Sequence, residues 1–334
     1  MTDISIKLAD PIYSIKLIDN SIKQTIECYA ISFNSSGSLM ISASNQDIKV
    51  WNFAQGRLKE ITTLKEHTNT IFCLQFSQKS NSFISADNVN SIRCWKQINE
   101  KEWKSSNQKQ TNQIYCLILN QSENELVSGG KEYSIKIWQI DFKKNKLSYL
   151  YSLDKHTNYV SGLSFNKSEN MLVSCGYDNQ IIIWKKDNKQ KWLFDYVVTQ
   201  PVQVSGCRLC FINDNQFIWL TGNQVSKDCI SMFELKDGTY QENLDKEVKL
   251  IKNDKTWDLN LYPIFYNKEK SLMVIKHKLH VYIIKISNNG QLNIITQIEY
   301  ESTYIFGALS NDGRYLVTWN KAGQKYDTYE ILIN

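Results

Sequence analysis

Residues 160–184, VSGLSFNKSENMLVSCGYDNQIIIW, contain the pattern that decides the fold of this chain. Three short apolar runs are separated by two polar turns rich in Asn, Ser, Glu and Asp, and the third run ends on a tryptophan. Short runs rich in Ile, Val and Phe that are bounded by Asn, Ser and Gly are typical of β-strands joined by hairpins. The segment therefore predicts three consecutive antiparallel strands.

The same pattern occurs in three upstream copies. The closing tryptophans of the four copies are 44, 43 and 46 residues apart, and a more variable fourth run follows, for example at 58–64 and 147–153. Four strands in 43–46 residues is the size of one β-propeller blade. The upstream copies are CYAISFNSSGSLMISASNQDIKVW (28–51), IFCLQFSQKSNSFISADNVNSIRCW (71–95) and IYCLILNQSENELVSGGKEYSIKIW (114–138).

These repeats resemble the WD40-repeat family. Its members are β-propellers whose blades carry a His before the innermost strand and a Trp near the end of the third strand. A Ser or Thr and an Asp often complete a hydrogen-bonded tetrad. The fourth unit matches this pattern residue by residue with His156, Ser174, Asp178 and Trp184. The resemblance implies that these four side chains form a structural tetrad.

The second unit carries a partial tetrad. It keeps His67, Ser85 and Trp95, and its His-to-Trp separation of 28 residues equals that of the fourth unit. Val89 stands where the family has Asp. We therefore expect this tetrad to lack its carboxylate.

The third and first units depart further from the family pattern. The third keeps Ser128 and Trp138, has Glu132 at the Asp position, and has Gln110 where His is expected. The first ends on Trp51, is one residue short and lacks the His. We expect these blades to be less rigid than the fourth.

The second half of the chain keeps the strand rhythm without a tryptophan at the family position. Phe233 and Ile284 take its place at the end of two third strands. Three further triplets of strands bring the total to seven units. They lie at 204–213, 216–223 and 228–235, then 259–267, 271–278 and 280–287, then 304–311, 314–320 and 326–333.

We expect one all-β domain over residues 1–334, a single seven-bladed β-propeller of four-stranded antiparallel blades. The last unit has three strands, and the run IYSIKLI (12–18) precedes the first unit. If 12–18 pairs with 326–333, it completes the last blade and closes the ring, which removes the open sheet edges that favour aggregation. The approximate blade boundaries are 27–66, 70–108, 113–155, 159–199, 203–254, 258–300 and 303–333, plus the N-terminal strand 12–18.

The amino-acid composition of the chain limits the classes of function that we expect. The chain has 334 residues, a net charge of +5, and only four arginines among its 39 basic residues. Proteins that recognise specific nucleic-acid sequences depend on the planar guanidinium of Arg. An AT-rich gene is sufficient to explain the high lysine content. We therefore expect no specific nucleic-acid binding. The chain shows no signal peptide, no apolar stretch long enough to span a membrane, and no regular cysteine spacing. These features predict a cytoplasmic protein in a reducing compartment.

The residue types of a serine hydrolase occur together in His156, Ser174 and Asp178. Ser174 falls inside a predicted strand, however, and no Gly-rich oxyanion loop adjoins it. The sequence therefore predicts a structural role for the three residues and no catalytic residue.

Two further pairs have the spacing of metal ligands. Cys207 and Cys210 form a C-x-x-C motif, but residues three apart on a strand point to opposite faces, so we interpret them as isolated buried thiols. His277 and His280 fall in a predicted hairpin turn without neighbouring acidic or Cys ligands, which we interpret as a solvated turn. We expect no cofactor and no bound metal.

The most plausible partner-binding surface is the face that carries the loops entering each first strand and joining each second strand to the third. We name this the upper face. We expect a non-catalytic scaffold, a subunit of a larger complex, that binds a partner polypeptide there and has no small-molecule substrate. The tyrosines of this surface favour binding, because Tyr gives large amphipathic contacts at low entropy cost, although Tyr159 and Tyr177 packing over the Asp178 turn is an equal alternative. The seven residues, which we name the upper rim, are Thr70, Asn88, Gln113, Lys131, Tyr133, Tyr159 and Tyr177.

Two other functional classes remain open from the sequence. The Lys runs 143–146 and 185–191 fall in loops of adjacent blades on the opposite, lower face and could bind a polyanion such as nucleic acid or an anionic membrane. A propeller enzyme would need several carboxylates or histidines converging on the channel, and the upper loops of the first four units offer few.

Overall fold

The chain forms seven antiparallel sheets, which confirms the predicted all-β propeller of seven blades. The computed structural model describes residues 13–89, 91–106, 108–109, 112–199, 204–222, 228–253, 257–258 and 261–333. In each blade the first strand lies innermost and successive strands follow outward, because consecutive strands pair through hairpins. Within those ranges the one helical element is a 3₁₀ turn at Leu244–Lys246.

The N-terminal half supplies three complete blades, preceded by one strand that belongs to the last blade. Strand β1 (Tyr13–Asp19) precedes them. Blade 1 contains β2 (Ile31–Phe33), β3 (Leu39–Ser44), β4 (Asp47–Ala54) and β5 (Arg57–Leu64). Blade 2 contains β6 (Ile71–Phe76), β7 (Ser82–Asp87), β8 (Ser91–Gln97), β9 (Trp103–Ser105) and β10 (Gln108–Lys109). Blade 3 contains β11 (Ile114–Leu119), β12 (Glu125–Gly130), β13 (Ile135–Asp141) and β14 (Lys146–Leu153).

The remaining strands form blades 4 to 7. Blade 4 contains β15 (Val160–Phe165), β16 (Met171–Gly176), β17 (Ile181–Lys186) and β18 (Trp192–Val197). Blade 5 contains β19 (Gly206–Asn213), β20 (Gln216–Thr221), β21 (Cys229–Lys236), β22 (Thr239–Glu242) and β23 (Val248–Lys249). Blade 6 contains β24 (Phe265–Asn267), β25 (Leu272–His277), β26 (His280–Ile286) and β27 (Leu292–Glu299). Blade 7 contains β28 (Ile305–Leu309), β29 (Tyr315–Asn320) and β30 (Lys325–Ile333).

The outermost strand changes register at the same place in six blades. In blades 1, 3, 4 and 6 a β-bulge faces the closing residue of the third strand, which is Trp51, Trp138, Trp184 or Ile284. In blades 2 and 5 the outermost strand is divided into two pieces, β9 with β10 and β22 with β23. Bulges increase the local twist of a strand, which lets the long outer strands follow the curved rim of the disc.

The apolar core lies between neighbouring blades, since each sheet has an apolar face on both sides. Between blades 3 and 4, Val127 and Ile137 pack with Leu172 and Trp184, all of them buried. Sheets with two covered faces show continuous apolar runs in place of strict alternation. Each blade therefore depends on having a neighbour on both sides.

The ring is closed by the N-terminal strand. Strand β1 pairs antiparallel with β30, with Ile15 opposite Ile331 and Lys16 opposite Glu330, and so becomes the fourth strand of blade 7. The chain then runs on towards blade 1, and Gln24 N donates to Gln324 O at 2.8 Å. The two ends of the described chain are thus joined within one sheet.

Removal of β1 tests this closure. A chain lacking residues 1–20 should lose roughly 3 kcal/mol or more of its free energy of unfolding, because β30 loses one of its two ladder partners and the blade 7 core is uncovered. In the full chain, Ile15→Ser should lower stability, since Ile15 packs on the core between blades 6 and 7. Lys16→Ser, at an exposed position of the same strand, is the matched control. Thermal unfolding of the truncated chain at the wild-type temperature would contradict the assignment.

Candidate functional site

A tetrad of buried side chains joins the strands of blade 4. The indole N–H of Trp184 donates to Ser174 Oγ at 2.9 Å, and His156 Nε2 lies 2.8 Å from the same oxygen. His156 Nδ1 lies 2.8 Å from Asp178 Oδ2. Because Ser174 accepts from the indole, its own proton is free to bond Nε2, which leaves Nδ1 as the N–H that Asp178 accepts. Burial would raise the pKa of Asp178, but the interaction with His156 and the backbone N–H groups of Thr157 and Gln180 together outweigh it and hold the pKa below its usual value.

Blade 2 holds a complete tetrad, so the expectation that it lacks a carboxylate is wrong. Trp95 Nε1 donates to Ser85 Oγ at 2.8 Å, and His67 Nε2 lies 2.6 Å from that oxygen. The carboxylate is Asp87, whose Oδ2 lies 3.0 Å from His67 Nδ1. Val89 is 39% exposed and does not take part through its side chain; its backbone N–H donates to Asp87 Oδ1 at 3.2 Å.

The geometry of blade 4 explains how Asp87 reaches the histidine. Asp87 occupies the position of Gly176, the last residue of the second strand. A Cβ atom on Gly176 would lie 3.3 Å from His156 Nδ1 and 3.1 Å from Asp178 Oδ1. A side chain that starts at this position therefore begins beside the imidazole, so a carboxylate can replace the one two residues later. An Asp at the position where blades 3 and 4 have Gly130 and Gly176 was the signal in the sequence.

Blades 1 and 3 keep only the Trp–Ser bond of the tetrad. In blade 3, Trp138 Nε1 donates to Ser128 Oγ at 2.9 Å. Glu132 forms an ion pair with Lys136, and Gln110 lies outside the described residues.

In blade 1, Trp51 Nε1 donates to Ser42 Oγ at 2.8 Å. The hydroxyl of Tyr326, from blade 7, lies 2.8 Å from the same oxygen and donates to Gln24 Oε1 at 2.8 Å. A tyrosine of the last blade thus occupies the position that a histidine has in blades 2 and 4. This contact also joins the last blade to the first.

The turn at residues 277–280 is buried, which corrects the expectation of a solvated turn without acidic neighbours. His277, Lys278 and His280 are 1%, 1% and 4% exposed. His277 Nε2 lies 2.7 Å from Asp228 Oδ1, and Lys278 Nζ lies 2.5 Å from that oxygen. Asp228 belongs to blade 5 and is 49 positions from His277 in the sequence. The two residues are brought together by the packing of blade 5 on blade 6, so motif spacing could not predict the contact.

A second group of buried charges lies beside this turn, and sequence reasoning missed it. Arg208 Nη1 donates to Asp258 Oδ2 at 2.6 Å, Arg208 Nε donates to Tyr262 O at 2.6 Å, and Lys276 pairs with Asp258 Oδ1. Burial would raise the pKa of Asp258, but the charges of Arg208 and Lys276 hold it well below its usual value. The sequence feature that could have predicted this group is Arg208, one of only four arginines, because it lies within an apolar strand. Buried charges of this kind require such partners, and removing one partner is costly.

Cys207 and Cys210 form no disulfide bond. Cys207 is buried and Cys210 is half-buried, and burial raises the pKa of both to about 11. Within the described ranges, no group of three or more His, Cys, Asp or Glu side chains could hold a metal ion.

The upper-rim residues of blades 2, 3 and 4 occupy equivalent positions on one face. Backbone bonds join the turn after each second strand to the loop before each first strand: Asn88 N donates to Thr70 O at 2.8 Å, Lys131 N to Gln113 O at 2.9 Å, and Tyr177 N to Tyr159 O at 2.8 Å. The seventh rim residue, Tyr133, is 43% exposed. The propeller fold thus places Thr70 and Tyr177, which are more than a hundred positions apart in the sequence, on the same face.

Four tyrosines cluster across blades 3 and 4. The ring of Tyr159 is central, with centroid distances of 5.9 Å to Tyr115, 5.7 Å to Tyr133 and 5.8 Å to Tyr177. Lys131 Nζ lies 6.0 Å from the Tyr159 ring centre. Tyr115 was not among the predicted rim residues, and burial raises the pKa of its hydroxyl to about 12. Tyr159 and Tyr177 therefore pack on other tyrosines and not only over the Asp178 turn.

One member of the cluster, Tyr115, also lines a central cavity. Residues of all seven innermost strands or the loops before them line this cavity, whose volume is about 290 Å³. Tyr29 and Phe72 line part of it, and their ring centroids lie 5.3 Å apart. Arg208, which also lines the cavity, is held by Asp258 as described.

The revised tetrad of blade 2 predicts opposite outcomes for two neighbouring substitutions. Asp87→Ala should lower the free energy of unfolding by about 2 kcal/mol, because a buried imidazole N–H and two backbone N–H groups lose their acceptor. Val89→Ala should change it by less than about 0.5 kcal/mol, as expected for an exposed side chain. Urea unfolding measures both. A larger loss of stability from the Val89 substitution than from the Asp87 substitution would contradict the assignment of Asp87 as the carboxylate of the tetrad.

Stability should also fall as the pH drops below neutrality. Burial lowers the pKa of His67 and of His277 relative to the unfolded chain, despite the nearby Asp87, Asp228 and Asp258. The unfolded state therefore binds more protons below about pH 6.5, so stability is complete above that pH and decreases as the pH falls towards the folded pKa values. The melting temperature should be lower at pH 5.5 than at pH 7.5, and the difference should shrink in His67→Gln. Equal pH dependence in wild type and variant would contradict this reading of His67.

Comparison with known proteins agrees with this architecture. The family described as "WD domain, G-beta repeat" matches residues 20–52, 58–96 and 147–185, segments that close on Trp51, Trp95 and Trp184. A bromodomain and WD repeat-containing protein of Dictyostelium discoideum is 25% identical over 80 residues, which is 24% of this chain and 4% of that protein. Among the described residues, no helix has the length and hydropathy needed to cross a bilayer. The chain is therefore a seven-bladed β-propeller with WD40 repeats.

Proposed function

We propose that this chain is a non-catalytic scaffold that binds a partner polypeptide through the upper rim, as a subunit of a larger complex. The observation that carries the proposal is the tyrosine cluster, in which Tyr115 also lines the central cavity. The cluster consists of Tyr115, Tyr133, Tyr159 and Tyr177, with Lys131 beside it. WD-repeat propellers in general mediate protein interactions, and the repeats found in this chain support the same class of function.

The physical chemistry of the cluster suits a protein ligand. Edge-to-face packing fixes the rings before binding, so little side-chain entropy remains to be lost on association. Each ring offers an apolar face and a hydroxyl, and Lys131 adds a cation at the cluster edge.

We propose no catalytic activity because of the way the two complete tetrads hold their serines. Ser85 and Ser174, the only candidates for a nucleophile in a Ser–His–Asp arrangement among the described residues, are each 0% exposed. Each hydroxyl is also committed to an indole and an imidazole. A nucleophile must reach its substrate, and these serines are instead enclosed between strands.

A cytoplasmic, reducing location belongs to the same proposal. None of the eight cysteines forms a disulfide bond. Burial raises the pKa of Cys28, Cys73 and Cys94 to about 12, which keeps these thiols protonated and unreactive. They act as small apolar core residues, and a reducing compartment preserves them in that form.

Replacing the rim tyrosines tests the binding site. The variant Lys131→Ala/Tyr159→Ala/Tyr177→Ala should lose at least about tenfold of its affinity for the partner chains that co-purify with the wild-type protein, because it removes the centre of the cluster. Quantitative mass spectrometry of affinity-purified complexes measures the loss. Leu235→Ser, at an exposed apolar position of blade 5, is the control. Unchanged recovery of every partner by a folded triple variant would contradict the site.

A further inference from the structure

Three of the four clustered tyrosines lie in loops of the upper face. Tyr133 and Tyr177 follow the second strands of blades 3 and 4, and Tyr159 immediately precedes the first strand of blade 4. Tyr133 is 43% exposed, and the other members of the cluster are half-buried. Contacts among the rings hold them in place, so the cluster presents a fixed aromatic surface to a ligand.

The backbone of Tyr133 is unusual for a large side chain. Its φ angle is +65°, and the equivalent residue of blade 4 is Asn179, with a φ angle of +61°. Both residues lie three positions after the end of the second strand. Gly and Asn adopt this left-handed conformation readily, whereas a bulky side chain disfavours it. The ring packs on Tyr159 and not into the apolar core between the blades. Neither the turn nor the core therefore favours a tyrosine here, which indicates a role at the surface.

The cluster also offers hydrogen-bond donors. In the part of the chain that the structure describes, the hydroxyl groups of Tyr133 and Tyr159 have no hydrogen-bond partner. The hydroxyl of Tyr115 differs, since it donates to Gln113 Oε1 at 2.9 Å. A phenolic hydroxyl can donate one hydrogen bond. Tyr133 and Tyr159 can therefore each donate to a carbonyl oxygen of a bound segment.

The charges around the cluster disfavour a cationic ligand. Lys131 Nζ lies 6.0 Å from the Tyr159 ring centre, so this ring already faces a cation. The two acidic side chains of the turns at 131–134 and 177–180 are engaged, because Glu132 pairs with Lys136 and Asp178 belongs to the blade 4 tetrad. An arginine or lysine of a partner would meet a like charge there, and each carboxylate of these turns already has a partner. A neutral segment is the better match.

We propose that the tyrosine cluster binds a proline-rich segment of the partner polypeptide in the polyproline II conformation. This inference rests on the function proposed for the upper rim and names the kind of segment that binds there. A polyproline II segment forms no internal hydrogen bonds, so its backbone carbonyls are open to donors such as the tyrosine hydroxyls. Its rings pack against aromatic side chains, and its preformed conformation loses little entropy on binding. A helical segment, in contrast, uses its carbonyls in its own hydrogen bonds.

Fluorescence anisotropy with fluorescein-labelled decaproline, which is about 30 Å long in this conformation, tests the proposal. The full chain should bind it saturably. Tyr133→Asn should weaken binding by about tenfold or more and leave the melting temperature unchanged or higher, because Asn suits the left-handed backbone. Tyr133→Phe/Tyr159→Phe keeps both rings and should weaken binding by about threefold or more, because it removes two donors. Tyr149→Asn, at an exposed tyrosine on the outer strand of blade 3, is the matched control and should bind as wild type.

Two comparison probes separate the alternative ligands. A Gly-Ser peptide of the same length should bind at least about tenfold more weakly than decaproline, because it lacks the rings and is flexible. Decalysine should not compete with decaproline. Equal binding of the Gly-Ser peptide, displacement by decalysine, or unchanged affinity of Tyr133→Asn would each overturn the proposal.

The partner chains that co-purify with the wild-type protein distinguish this inference from the function proposed for the rim. Excess decaproline should release them. If Lys131→Ala/Tyr159→Ala/Tyr177→Ala loses its partners but decaproline neither binds nor releases them, the rim binds another kind of segment and only this inference is wrong. If the folded triple variant retains every partner, the function proposed for the rim is itself wrong.

Discussion

The structure depends on one constraint: each blade is a sheet with two apolar faces, and water must be kept from both. A linear array of such sheets would leave two faces open at its ends, whereas a ring leaves none. Closure is therefore the condition under which every other contact forms. It is achieved by β1 beside β30 and by Gln24, whose side chain and backbone meet Tyr326 and Gln324 of the last blade.

Closure also determines where function can lie. Residues on the blade faces are used for packing, so the surfaces left for partners are the loops at either face and the outer edges of the sheets. The upper rim draws its tyrosines from blades 3 and 4. Blade 4 carries a complete tetrad and so offers a rigid base for this surface.

The repeat pattern of the sequence was enough to predict the number of blades, their order and the closing strand, because those follow from strand periodicity and turn chemistry. It was not enough where one residue substitutes for another from a different backbone position. Asp87 replaces the expected carboxylate from a glycine position, and Tyr326 serves a tetrad in another blade. His277 looked solvated because Asp228 and Asp258, which surround it, approach only when blades 5 and 6 meet.

Hydrogen exchange of the backbone amides tests the central claim of a closed ring most directly. Peptides that cover Tyr13–Asp19 and Lys325–Ile333 can be followed separately by mass spectrometry. The account predicts that the amides that bond across the β1–β30 ladder are protected in both segments and open together. Rapid, unprotected exchange of residues 13–19 alongside slow exchange of the inner strands would show that the ring is open, and would contradict the account.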